Sequence, residues 1–127
     1  MGLPAAKQGD RVTGVDLHVV VTPAGVAAPL PHPFNGVLDG NLSATVRVEG
    51  RPAATAGSTA TNLPPHLPAG GTFQRPPTNL GTVQSGSPTV RIGGLPAARA
   101  GDPVVTCNDP ADAPVGQVVG AGSVGIG

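Results

Sequence analysis

The chain of 127 residues contains no tryptophan and no tyrosine, and its only large rings are Phe34 and Phe73. Large rings normally supply much of a small core's buried area, so an aromatic-packed interior is excluded. Charge is equally scarce. Only 11% of residues are charged, seven cations against seven anions, and no basic run occurs. Phosphate backbones and anionic membrane surfaces both need clustered cations, so the sequence points to neither as a partner. No apolar run approaches the roughly 18 residues of a membrane-spanning helix. Residues 1–10 lack a charged region followed by an apolar one and so predict no cleavable leader. A lone cysteine, Cys107, cannot close an internal disulfide.

What is abundant is glycine and proline, 20 and 16 residues respectively. That share fits a disordered chain, whereas zero net charge and a fair content of Leu, Ile, Val and Phe do not. Composition therefore leaves a loop-rich β domain and a floppy interaction segment both open. A β domain with so little core needs a staple, and without a disulfide that staple is a metal ion.

Internal repetition favours the folded domain. Residues 45–57 read Thr-Val-Arg-Val-Glu-Gly-Arg-Pro-Ala-Ala-Thr-Ala-Gly, and residues 89–101 match them at nine of thirteen positions. The N-terminus repeats the back half as Gly2-Leu3-Pro4-Ala5-Ala6-Lys7-Gln8-Gly9-Asp10, without a leading strand because the chain begins there. Leu42, Ala44, Val46 and Val48 alternate with polar residues, which predicts a half-buried strand over 43–49, and Thr89-Val90-Arg91-Ile92 predicts its counterpart. Gly50 before Pro52 and Gly94 before Pro96 read as tight turns. Frequent prolines forbid long helices. The expected architecture is all-β: one small hairpin-rich, conical domain of three pseudo-repeats over 1–127, with a last strand or packed tail at 115–127.

The repeat also organises the metal-binding residue types. His18 lies 14 residues after Pro4, and His66 lies 14 residues after Pro52. Cys107, 11 residues after Pro96, sits near the matching end of the third copy. Wrapping three units about an axis brings these ends together, and His32 from the long loop of the first unit completes a tetrahedron. Three imidazoles and a thiolate suit a closed structural Zn²⁺ site, although ligand type leaves iron and copper open. Such a site supplies about 10–16 kcal/mol of apparent binding free energy, enough to compensate for a thin core. Asp16 is a candidate to orient an imidazole, but a solvated turn is the simpler reading of it.

The run Leu95-Pro96-Ala97-Ala98-Arg99-Ala100-Gly101-Asp102 resembles the signature of PAAR-repeat proteins. Pro4-Ala5-Ala6-Lys7-Gln8-Gly9-Asp10 is similar with Lys for Arg, and residues 52–58 form a degenerate copy lacking both Arg and Asp. The resemblance implies a sharp β cone whose point holds one zinc through three histidines and a cysteine, here His18, His32, His66 and Cys107. It implies a non-enzymatic partner role: capping the blunt end of a trimeric valine-glycine-repeat (VgrG-like) spike and sharpening it for membrane puncture. Such machines include type VI secretion systems, extracellular injection particles and phage-like tails. Assembly in the cytoplasm and export within the particle follow, with any cargo effector a separate chain. Thr45, Val46, Val48, Thr89, Val90 and Ile92 are the expected spike contacts. Rival readings are a small zinc hydrolase or an effector adaptor. The hydrolase is disfavoured because four ligands close the metal shell and the single glutamate, Glu49, is expected on a repeat strand.

Overall fold

A computed structural model describes residues 2–120 and 122–126 of the chain, and among these there are strands and no helix. Each repeat contributes one long or short hairpin to a common barrel. The first copy supplies β1 (Leu3–Pro4), β2 (Arg11–Val21) and β3 (Ala27–Gly40). The second supplies β4 (Arg47–Val48), β5 (Arg51–Pro52), β6 (Thr59–Asn62), β7 (Thr72–Phe73) and β8 (Leu80–Val83). The third supplies β9 (Arg91–Ile92), β10 (Leu95–Pro96), β11 (Pro103–Thr106) and β12 (Ala113–Val119), and β13 (Gly125–Ile126) follows.

The barrel order is β2-β3-β6-β8-β11-β12, every neighbour antiparallel, and β12 returns to β2 through Val118 opposite Val12. Closure leaves no free edge around this ring. Alternation along β2 and β3 sends Val12, Asp16, His18 and Val20, then His32, Phe34 and Leu38, to the inside. Leu38, Val83 and Val118 fill equivalent inward positions in the three units, each fully buried or nearly so. Phe34 lies across the barrel and is buried. Gly36 and Gly81 make room for it: a Cβ on either would stand 2.6 Å and 3.2 Å from its ring atoms.

One end of the barrel is closed by the repeats themselves. Ala6 N–H donates to the Ala98 carbonyl, Ala98 N–H to Ala54, and Ala54 N–H back to Ala6, at 2.9, 3.0 and 3.0 Å. A second cycle runs from Gln8 to Pro52, Ala56 to Pro96 and Ala100 to Pro4, each at 2.9 Å. Three chain segments meeting this closely tolerate only small side chains, and all six of Ala5, Ala6, Ala53, Ala54, Ala97 and Ala98 are buried. The repeat is therefore a pseudo-threefold base.

Two local expectations change. The leading strands are shorter than 43–49 and 89–92, reducing to Arg47–Val48 and Arg91–Ile92. Ala44 and Val46 face outward because the backbone before Arg47 is held by turns: the Ser43 hydroxyl accepts from Val46 N–H at 3.0 Å. The first copy does not lack its leading strand. β13 pairs with β1, Leu3 opposite Ile126, as β9 pairs with β10, Leu95 opposite Ile92. Ile126 joins Val48 and Ile92 in one basal cluster with Ala5, Ala53 and Ala97. The C-terminal strand thus completes the N-terminal repeat; Met1, Ala121 and Gly127 lie outside the described residues.

The motif's charged pair has a clear physical purpose. Asp102 accepts from its own Arg99 backbone N–H at 2.6 Å and pairs with the Arg99 guanidinium at 2.8 Å. Lys7 and Asp10 repeat both contacts at 3.1 Å. In the degenerate copy Ser58 Oγ accepts from Thr55 N–H at 2.9 Å and donates to the Asn41 carbonyl at 2.8 Å. The turn cap is kept while the charge is dropped.

Candidate metal centre

Beyond Phe34, the inside of the barrel turns polar. His18 follows Asp16 on the same face of β2, and Asp16 stands directly opposite His32 of β3. His66 arrives from the segment after β6, and Cys107 directly follows β11. One donor atom each from Asp16, His18, His66 and Cys107 all lie within 4.8 Å of one another, and all four residues are buried. A buried cluster of two imidazoles, a thiol and a carboxylate can hold a metal ion. His32 is not a member of that mutually close set, yet its ring centroid lies 5.5 Å from His18 and 5.4 Å from His66. The His18 and His66 centroids are 5.1 Å apart. Phe73 of β7 covers the group, 5.7 Å from His18 and 5.4 Å from His32.

The hydrogen bonds separate the three rings. His32 Nδ1 meets the Leu30 carbonyl at 2.9 Å, which places its proton on Nδ1 and leaves Nε2 as a lone-pair donor. His66 Nε2 meets Asp16 Oδ2 at 2.8 Å while Asn62 contacts its Nδ1 at 3.3 Å. Among the described residues, neither nitrogen of His18 has a hydrogen-bond partner, although the residue is buried. Buried polar atoms without partners are costly, and an electron-pair acceptor at this position would satisfy one of them.

Burial pulls the His18 pKa below its ordinary value against the upward influence of Asp109, which keeps the ring neutral and fit to donate a lone pair. Burial, reinforced by Asp16, pushes the Cys107 thiol up to about 11. The thiol is therefore protonated at neutral pH and would ligate with release of its proton.

Asp16 is no solvated turn residue: it is fully buried, and its carboxylate also accepts from the Thr106 hydroxyl and, at 3.4 Å, from Cys107 Sγ. The legible signal was its spacing of two from His18 within a strand, which puts both on one face. Asp109, in the turn after Cys107, gave no comparable signal. Glu49 is not on a strand either. It occupies the β4–β5 turn with φ 51°, and its carboxylate accepts from Ser123 N–H at 2.7 Å.

Among protein-family models, that of the PAAR motif matches residues 74–127, which contain the third repeat copy, Cys107 and β13. A search of curated proteins found no match. The family match, over 54 of the 127 residues, supports a PAAR-repeat protein of contractile injection and type VI systems. Its first two copies, outside the matched stretch, close the same cyclic hydrogen bonds as the third.

Proposed function

We propose that the chain is the tip of a contractile injection spike, seated by its pseudo-threefold base on the blunt end of a trimeric VgrG-like protein. The observation that carries this reading is the cyclic bonding of Ala6, Ala98 and Ala54, through which one polypeptide offers three similar corners to a threefold partner. Around that base Leu3, Val46, Leu95 and Val124 are exposed, and Thr45 and Thr89 lie on the same hairpin arms. These residues, with the half-buried Val90, would touch the spike. Val48 and Ile92 are buried in the basal cluster and would support the contact from within. Arg47, Arg51 and Arg91 are exposed on the same arms, and none forms an ion pair among the described residues. An acidic rim on the spike would complement them.

At the other end, His18, His32, His66 and Cys107 would hold one structural Zn²⁺. Three imidazoles on a tetrahedral ion at about 2.0–2.1 Å place their ring centroids about 5 Å apart. The spacings of 5.1 to 5.5 Å support that reading, as do the orphaned nitrogens of His18. Bound there, the ion supplies cross-linking rather than Lewis-acid turnover, because four protein ligands close its shell. The role is mechanical, puncture of a target membrane by an exported particle, without catalysis.

The test is assembly. Mixed with the trimeric spike protein of its own injection system, the chain should form a complex of one tip to three spike chains, read by mass photometry. Absence of binding, or equal stoichiometry of the two chains, would reject the docking assignment.

A further inference from the structure

Two neighbours of His18 on β2, Leu17 and Val19, have their backbone groups taken up by the turn after Cys107. Leu17 N–H donates to Asn108 Oδ1 at 2.6 Å, Asp109 N–H donates to the Leu17 carbonyl at 2.7 Å, and Val19 N–H donates to Asp109 Oδ2 at 2.8 Å. The turn therefore grips β2 on both sides of His18. Within that grip the Asp109 carboxylate is almost fully buried, and its Oδ2 stands 3.7 Å from His18 Nδ1. The opposite nitrogen, Nε2, points toward Asp16, His66 and Cys107, 3.9 Å from Asp16 Oδ2. The far oxygen of Asp109 accepts from Arg75 Nε at 3.0 Å, and Arg75 Nη2 also binds the Asn108 carbonyl.

We propose that Asp109 is the positioning residue for His18, keeping its proton on Nδ1 so that Nε2 faces the metal, and that Arg75 holds Asp109 in place. This rests on the reading of His18 as a metal ligand. Unlike the carboxylate of Asp16, which is shared by His66, Thr106 and Cys107, Oδ2 of Asp109 accepts, among the described residues, from the Val19 amide alone and keeps a lone pair for the imidazole. Contraction from 3.7 Å to an ordinary charge-assisted bond of about 2.8 Å needs only a small ring rotation. His32 obtains the same service from the Leu30 carbonyl, so two of the three rings would have their tautomer set from outside the cluster.

The experiment uses the full chain loaded with Zn²⁺ and measures release into excess chelator, beside the visible spectrum of the Co²⁺-loaded form. Asp109→Asn keeps the shape and an acceptor for Val19 while removing the charge. It should release zinc about tenfold to a hundredfold faster and shift the Co²⁺ bands. Arg75→Ala should speed release by less than Asp109→Asn. In ¹⁵N spectra of the zinc form, the Nδ1–H signal of His18 should weaken in Asp109→Ala, a change that loss of packing alone does not produce. Should Asp109→Ala fail to fold, Asp109→Asn decides. Release at the wild-type rate with unchanged Co²⁺ bands would overturn the role of Asp109 while leaving the site intact. A wild-type chain that takes up no Zn²⁺ would overturn the site and this role together.

Discussion

The two ends of this barrel are stabilised in opposite ways. At the base, three copies of Pro-Ala-Ala close rings of backbone hydrogen bonds around side chains too small to collide. Among the described residues, no buried side-chain polar atom there lacks a hydrogen bond. At the histidine end the chain brings together buried polar side chains, and His18 is left without a hydrogen bond at either nitrogen. A repeated motif can satisfy itself by backbone symmetry, whereas a cluster of buried side-chain donors needs something added. The repeats build the platform, and their far ends, with His32 and Asp16 from the first hairpin, build the site.

The largest expected effect comes from removing metal. Chelation should lower global stability by an amount on the order of 10 kcal/mol or less, set by the binding free energy of the ion. Hydrogen exchange should show the loss first around His18, His32 and His66, with the Ala6, Ala54 and Ala98 amides opening last. Equal loss of protection at both ends would erase the contrast between them.

Phe34→Ala removes the ring between the two ends, and should cost about 3–5 kcal/mol by chemical denaturation whether or not metal is present. Gly36 and Gly81, which pack against that ring, have no side chains to fill the cavity.

Ser58→Asp restores the motif's aspartate to the degenerate copy, yet it should destabilise by about 1–3 kcal/mol in thermal or urea melts. The serine hydroxyl donates to the Asn41 carbonyl, and an ionised carboxylate buried there would face that oxygen without a proton. A gain in stability would show that the base tolerates full symmetry.

The smallest effect is on pH. In metal-free protein burial holds the His18 pKa below 6.5, so the unfolded chain takes up a proton where the folded one resists. Stability should be fully present above about pH 6.5 and decline as pH falls through the folded pKa. His18→Gln should flatten that decline, as measured by urea midpoints across pH 5 to 7.5.

Much of this was legible in the residues. Pro4, Pro52 and Pro96 mark the three units, and the equal offsets to His18 and His66 anticipate two rings that do converge. Two features were not legible. Ser123 to Ile126 carries too little of the repeat to be aligned by eye, so its completion of the first unit appears only through the pairing of Leu3 with Ile126. Asp109 reaches His18 across 91 residues of chain by way of a turn rather than a strand, and no periodicity encodes that contact. The expected strand over 43–49 failed for a related reason: hydroxyl-capped turns can carry alternating residues without a sheet partner.

The most direct test is elemental analysis joined to X-ray absorption on the purified chain, with His18→Ala and His66→Ala beside it. One transition-metal ion per chain is expected, bound by nitrogen with a single sulfur, with strong depletion in both variants. A folded wild-type protein free of metal, or variants that keep full occupancy and an unchanged melting temperature, would contradict it.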